Sequence, residues 1–183
     1  KDADLKALPR PRAHDQNRHI FLMVGTLEPR KGHTTVLDAF EAMWEQGHDL
    51  TLIIAGKIGW HVDVLAARLR THAELNHRLF WIEAPSDEYL IQLYRRADCL
   101  IAASEAEGFG LPLIEAAKHD LPLIASDIEV FREVAGKSAY YAHPLTADGF
   151  SQAVVHWLAL YARGKHPKPD RIQFLSWAQS AEA

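Results

Sequence analysis

Cysteine is nearly absent: the 183-residue chain has one, Cys99, set inside an apolar run. One thiol closes no intrachain disulfide and builds no cysteine cluster for a metal, which points to a reducing compartment and a buried thiol. Long apolar runs are also lacking. No stretch reaches the roughly 18 to 20 residues of a membrane-spanning helix, and the opening "KDADLKALPRPRAHDQNRH" has no apolar segment of the signal-peptide kind. Residues 1–19 read as a linker or extension, and a transmembrane segment is not expected. Basic excess is missing too, with 20 Lys and Arg against 24 Asp and Glu and a formal charge of −4. That balance argues against broad nucleic-acid binding, which needs a strongly basic face. Any anionic ligand must therefore be held by local groups. The eleven histidines are scattered without paired ligand spacing. His33, His61, His72, His77, His119 and His143 read as surface or loop residues, and no metal is implied.

What the chain does have is alternation. From Ile20 onward, the short apolar runs "IFLMVG", "LTLIIAG", "RLFWIE", "CLIAAS", "LPLIAS" and "SAYYA" each end at glycine, proline or an acidic turn. Runs of that length and continuity suit strands covered on both faces of a parallel sheet. Between them lie stretches of helical period. "HTTVLDAFEAMWEQ" puts Val36, Leu37, Phe40, Met43 and Trp44 on one stripe, and "VDVLAARLRTHAEL", "SDEYLIQLYRRA" and "PLIEAAKHD" behave likewise. Ser86 is a plausible N-cap, and "ADGFSQAVVHWLALYARG" reads as a terminal helix. Strand and helix alternating with right-handed crossovers predict a doubly wound α/β sheet of about six strands. Ligands of such sheets bind beyond the carboxyl ends of the strands. The loops after Val24, Ala55, Ile82, Ala103 and Ala125 are thus where function is expected.

Two of those loops carry chemistry. "GTLEPRKGH" sets Arg30 and Lys31 before Gly32 and a helix start, so two full charges, a glycine and unpaired helix amides converge, as suits a diphosphate. Its spacing is not that of a Walker loop. Taken alone, the pair reads as readily as solvated loop cations. "EAEGFGLPLIEAA" places Glu107 and Glu115 on either side of a turn opened by Gly108 and Gly110, with Pro112 suited to the first helical position. Glu115 is expected in the first turn of that helix, where two carboxylate oxygens could accept from the 2′- and 3′-hydroxyls of a ribose. Glu107 would face the group beyond the diphosphate. Bland alternatives stay open here, a helix-dipole partner for Glu115 and a solvated loop acid for Glu107.

Taken together, "VGTLEPRKGH", "IIAGKIGW", "PSDEYLIQLYRRADCLIAASEAEGFGLPLIEA" and "SDIEVFREVAG" resemble the C-terminal, donor-binding domain of retaining nucleotide-sugar glycosyltransferases (family 4, group 1), which have the GT-B fold. The likeness runs from about Ile20 to Tyr141. It implies that Glu115 binds the donor ribose, that Glu107 lies near the transferred sugar with Gly108, Phe109, Gly110 and Leu111, and that Arg30 and Lys31 bind the leaving diphosphate. Gly25 and Thr26 would complete the first loop, although many members carry arginine where Thr26 stands. Ile82, Glu83 and Ala84 would meet the base, and Lys57 would lie beside the cleft. Where the family often has "ACGVPV", this chain has "AKHDLPL".

By the same resemblance, Glu107, Arg30 and Lys31 are the catalytic set, no cofactor is needed, and the donor is a nucleotide-diphosphate sugar, GDP-mannose favoured and a UDP-sugar second. Residues 20–183 would be the donor domain, with an acceptor-binding N-terminal domain absent and "FLSWAQSAEA" opening a helix. The expected role is hexosyl transfer to a glycan or lipid-linked glycan of bacterial surface polysaccharide, in the cytoplasm or at the inner face of the membrane. An epimerase-like enzyme on the same fold, or a non-catalytic nucleotide-binding module, are the alternative readings.

Overall fold

The computed structural model describes residues 18–172. Six strands, β1 (His19–Val24), β2 (Leu50–Ala55), β3 (Leu79–Ile82), β4 (Cys99–Ala102), β5 (Leu123–Ser126) and β6 (Tyr140–Ala142), form one sheet in the order β3-β2-β1-β4-β5-β6. Every pairing is parallel. The helices between them are α1 (His33–Glu45), α2 (Asp63–Thr71), α3 (Asp87–Arg96), α4 (Leu111–Ala117), α5 (Glu129–Ala135) and α6 (Ala147–Tyr161). The chain steps outward from β1 to β3, then crosses back over the sheet to β4 on the other side of β1. The carboxyl ends of β1 and β4 are therefore the switch point, where two successive loops diverge and leave a crevice.

Alternation along the strands explains why their apolar runs are continuous. Phe21 and Met23 of β1, with Leu52 and Ile54 of β2, face Val36, Leu37, Phe40 and Met43 of α1 and Phe150 and Trp157 of α6. Ile20 and Leu22, with Ile53 and Leu100, face the opposite layer, where Leu93, Leu113 and Phe131 come from α3, α4 and α5. With a period of two and a helix layer on each side, nearly every position is apolar, Thr51 of β2 and Ser126 of β5 being buried polar exceptions. Phe21 makes edge contacts with Phe40 at 5.5 Å and Trp157 at 5.7 Å, which ties α1 and α6 to the same strand. Burying each such ring contributes roughly 1.5 to 3 kcal/mol.

The helix boundaries follow from side-chain chemistry. The Ser86 hydroxyl accepts from the Tyr89 amide at 3.3 Å, so it caps α3 as its position predicts. Helix α2 stops at Thr71, short of the expected Leu75, because His72 turns extended: its Nε2 meets Glu41 at 2.7 Å and its Nδ1 accepts the Glu74 amide at 3.0 Å. Helix α4 ends at Ala117, where the Leu121 amide reaches back to the Ala116 carbonyl at 3.0 Å. Asp120 takes φ 53° there, a left-handed conformation that short polar side chains tolerate better than most. Pro112 is the second residue of α4, not the first. The expected linker lies outside the described residues except at its end, where Arg18 pairs with Asp49 at 2.9 Å and His19 opens β1. The helix expected over "FLSWAQSAEA" lies outside them altogether.

Two histidines are not surface residues. His72 is largely covered by its pairing with Glu41, and His33, the first residue of α1, is only 3% exposed. Burial, then the nearby Lys31 charge, lowers the His33 pKa to about 4, and its Nδ1 has no hydrogen-bond partner. Gly32, just before it, has φ 69°, and a Cβ there would sit 2.3 Å from the Ala103 carbonyl oxygen at the end of β4. The first loop is thus pressed against the fourth strand's end, an approach open only to glycine.

Between about pH 6.5 and pH 4 the unfolded chain protonates this histidine while the folded chain does not, so the His33 contribution to stability falls as pH falls through that window. Urea unfolding at pH 7 and pH 4.5 should show the native chain losing about 2 to 3 kcal/mol more than His33→Gln on acidification. An equal loss in both proteins would contradict the burial. Gly32→Ala should lower stability by about 1 to 3 kcal/mol in the same assay, from backbone strain together with displacement of the Ala103 carbonyl.

Candidate functional site

At the switch point the loop after β1 (residues 25–32) lies against the loop after β4 (residues 103–110). The Glu105 amide donates to the Arg30 carbonyl at 2.8 Å, and Gly32 closes on Ala103. This contact brings together side chains that are 76 residues apart. Lys31 Nζ donates to Glu107 Oε1 in a short ion pair, and the Ser104 hydroxyl donates to the same oxygen at 3.1 Å. Arg30 Nη1 reaches the Ala106 carbonyl at 3.0 Å and Glu107 Oε2 at 3.5 Å, while its Nη2 pairs with Glu28 at 2.9 Å. Beneath the cluster, Met23, Val24, His33, Ser104 and Pro112 line a small cleft that Lys31 enters.

Burial by itself would raise the Glu107 pKa, yet the Lys31 bond and charge, Ser104 and Arg30 outweigh it and hold the carboxyl below its ordinary value. Glu107 is therefore an anion at neutral pH and acts as counter-ion to both cations. Arg30 and Lys31 face Glu28 and Glu107, two charges of each sign, so the cluster is locally balanced. His33 stays neutral below it and adds no charge. An incoming anion meets cations that are already oriented, and it must compete with carboxylates for them. Exchange of one anionic partner for another in a half-buried pocket costs less than ordering free lysine and arginine side chains from solvent.

The other expected residues are spread along the same edge of the sheet. Thr26 packs beneath the loop after β2: the Leu27 amide donates to the Lys57 carbonyl at 2.9 Å, and the Gly25 amide to Ala55 at 3.0 Å. The Lys57 residue itself is exposed. Past β3, the Ile82 carbonyl accepts the Gly56 amide at 3.0 Å, Glu83 turns toward Arg70 at 3.8 Å, and Ala84 adopts φ 49°. Beyond β4, Gly108 and Phe109 are exposed, Phe109 at 78%, and Gly110 turns the chain into α4 with φ 65°. Leu111 is exposed as well.

Glu115 is the fifth residue of α4, one turn further in than its spacing suggested. Its Oε2 accepts from the buried Tyr94 hydroxyl of α3 at 2.8 Å. The structure thus unites Arg30, Lys31 and Glu107, and keeps Glu115 in a separate pairing. Sequence reasoning missed Ser104, His33 and Tyr94. Of these only Ser104 left a trace, as a hydroxyl three residues before Glu107 at a strand end.

Among the described residues no cluster of metal-ligating side chains occurs, and no helix is long and apolar enough to cross a membrane. The model for "Glycosyl transferases group 1" matches residues 5–170. The serotype-specific mannosyltransferase WbdA of Escherichia coli is 52% identical over 162 residues, covering 88% of this chain and 20% of that protein. An O-antigen chain mannosyltransferase B of Escherichia coli is 33% identical, covering 75% of this chain and 36% of its own length. The chain therefore spans about a fifth of the WbdA relatives it matches. Among solved structures, a glycosyltransferase from Rickettsia africae superposes with a TM-score of 0.70 at 23% identity, over 83% of this chain and 41% of that one. The C-terminal domain of a group 1 family protein, LpcC, from Francisella tularensis superposes at 0.67 and 19% identity, over 81% and 79%. The parallel sheet and its switch-point crevice agree with a family model that matches nearly the whole sequence: this chain belongs to the group 1 glycosyl transferases.

Proposed function

We propose that this chain is the donor-binding part of a retaining hexosyltransferase that uses a nucleotide-diphosphate sugar, with the acceptor glycan held by a second domain. The observation that carries the reading is the Lys31–Glu107–Arg30 cluster at the switch point. As the sugar leaves, negative charge builds on the diphosphate. Lys31 and Arg30 stabilise that charge in a part-buried setting, where each interaction is stronger than in water. Glu107, released from the cations as the diphosphate takes them, is free to meet the transferred sugar. The rest of the rate enhancement is positioning, with Phe109 to Leu111 bordering the sugar and no covalent nucleophile required.

Further along the sheet edge, Glu115 takes the ribose, and the segment Ile82 to Ala84 takes the base. Lys57 stands at the mouth of the loop after β2. GDP-mannose is the favoured donor, with mannose as the transferred sugar supported by the mannosyltransferase names of the WbdA and O-antigen relatives. The product on this reading is a bacterial surface polysaccharide, and the enzyme works on the cytoplasmic side of the membrane. Family membership favours transfer over an epimerase-like reaction or a non-catalytic module.

Calorimetry on the intact protein with GDP and with guanosine separates the roles. Lys31→Ala should weaken GDP binding at least tenfold, the order expected for losing a hydrogen bond to a charged group, and leave guanosine nearly untouched. Equal losses for both ligands would remove the diphosphate assignment. Glu115→Ala should cost about 1.5 to 3 kcal/mol for GDP. Unchanged affinity would remove the ribose role. Transfer of radiolabelled mannose from GDP-mannose to a mannan acceptor tests the reaction itself, and its absence alongside transfer from a UDP-sugar would overturn the donor choice.

A further inference from the structure

Tyr94 is buried to 3% exposure within α3, among Leu93, Leu113, Ala116 and Ala117, and its ring stacks on His119 at 5.1 Å with 14° between planes. A phenol so placed has one polar atom to satisfy, and it satisfies it on Glu115, Oη to Oε2, at 2.8 Å. The Glu115 residue is itself exposed. One oxygen of an otherwise solvent-facing carboxylate is therefore tied to a group that cannot move, because both the stacking and the apolar packing fix the ring. We infer that Tyr94 is a positioning residue for the nucleotide ribose: its hydroxyl fixes the rotation of the Glu115 carboxylate, so that the remaining acceptor sites are set for the sugar diol before the nucleotide arrives.

The inference rests on the ribose role proposed for Glu115. Its physical basis is the freedom of glutamate, whose three rotatable bonds would otherwise be ordered only on binding. Burial first, and then the Glu115 charge, raises the phenol pKa, so the hydroxyl remains a donor at any pH at which the protein works. The alternative role for a tyrosine at this point is a staple between α3 and α4. The two roles differ in what they do to a ligand that lacks the diol.

The experiment compares the native protein, Tyr94→Phe, Glu115→Gln and the double variant for binding of GDP and of 2′,3′-dideoxy-GDP, with thermal unfolding recorded for each. Tyr94→Phe should weaken GDP binding by about three- to tenfold, the order expected for one lost ordering hydrogen bond, and leave the dideoxy ligand unchanged. In the Glu115→Gln background the same change should have little further effect. Equal weakening for both ligands would make Tyr94 a staple only and overturn the inference. A Tyr94→Phe protein that binds GDP like the native one, while Glu115→Gln does not, would overturn it and leave the ribose role of Glu115 standing. If Glu115→Gln also binds GDP normally, the ribose reading fails and the inference falls with it.

Discussion

The ion pair between Lys31 and Glu107 is the contact on which the site depends. It joins the loop after the first strand to the loop after the fourth, and the adjacency of those two strands brings the loops together. β1 and β4 are neighbours only because the chain crosses the sheet after β3. Two strands distant in sequence thus deliver a lysine and a glutamate to one crevice. Gly32 makes the approach possible by letting the first loop lie on the Ala103 carbonyl, and Ser104 donates to the same carboxylate oxygen from the strand end.

That pair also gives meaning to acid beside an apparent anion site. Cations crowded into a part-buried crevice repel one another and lose hydration, so each needs a partner when no phosphate is there. Glu28 and Glu107 supply the partners. The carboxylates hold Arg30 and Lys31 in ion pairs at the crevice, and on the proposed reading an entering diphosphate would take their place with denser negative charge. His33 contributes by staying neutral: a second positive charge under Lys31 would be unfavourable, which is part of why its pKa is depressed.

Much of this architecture was legible from residues alone. Runs such as "LTLIIA" are apolar at all positions but Thr51 and buried throughout because each face of β2 meets a core layer, and that near-continuity marks a parallel sheet without further help. The two functional loops were legible as well, from glycines and charges at strand ends. What periodicity could not convey was which side chains touch. From the residues alone the Arg30–Lys31 pair and Glu107 read as separate devices, and only the family resemblance put them in one set, since their meeting is fixed by strand order and not by spacing. His33 looked like a loop residue because histidine is at home in water or in a core, and only the Gly32–Ala103 contact decides between them. Tyr94 sat on an apolar helical stripe, where its ring was expected and its hydroxyl went unread. The lengths of α2 and α4 depended on His72 and Asp120, polar residues whose local bonding overrode the helical pattern.

The most direct test of the account is a crystal structure of the intact protein with a nucleoside diphosphate bound. The account predicts phosphate oxygens within hydrogen-bonding distance of Lys31 Nζ and the Arg30 guanidinium, with the Glu107 carboxylate separated from Lys31. Phosphate density away from the β1–β4 crevice, with the Lys31–Glu107 pair intact, would contradict it.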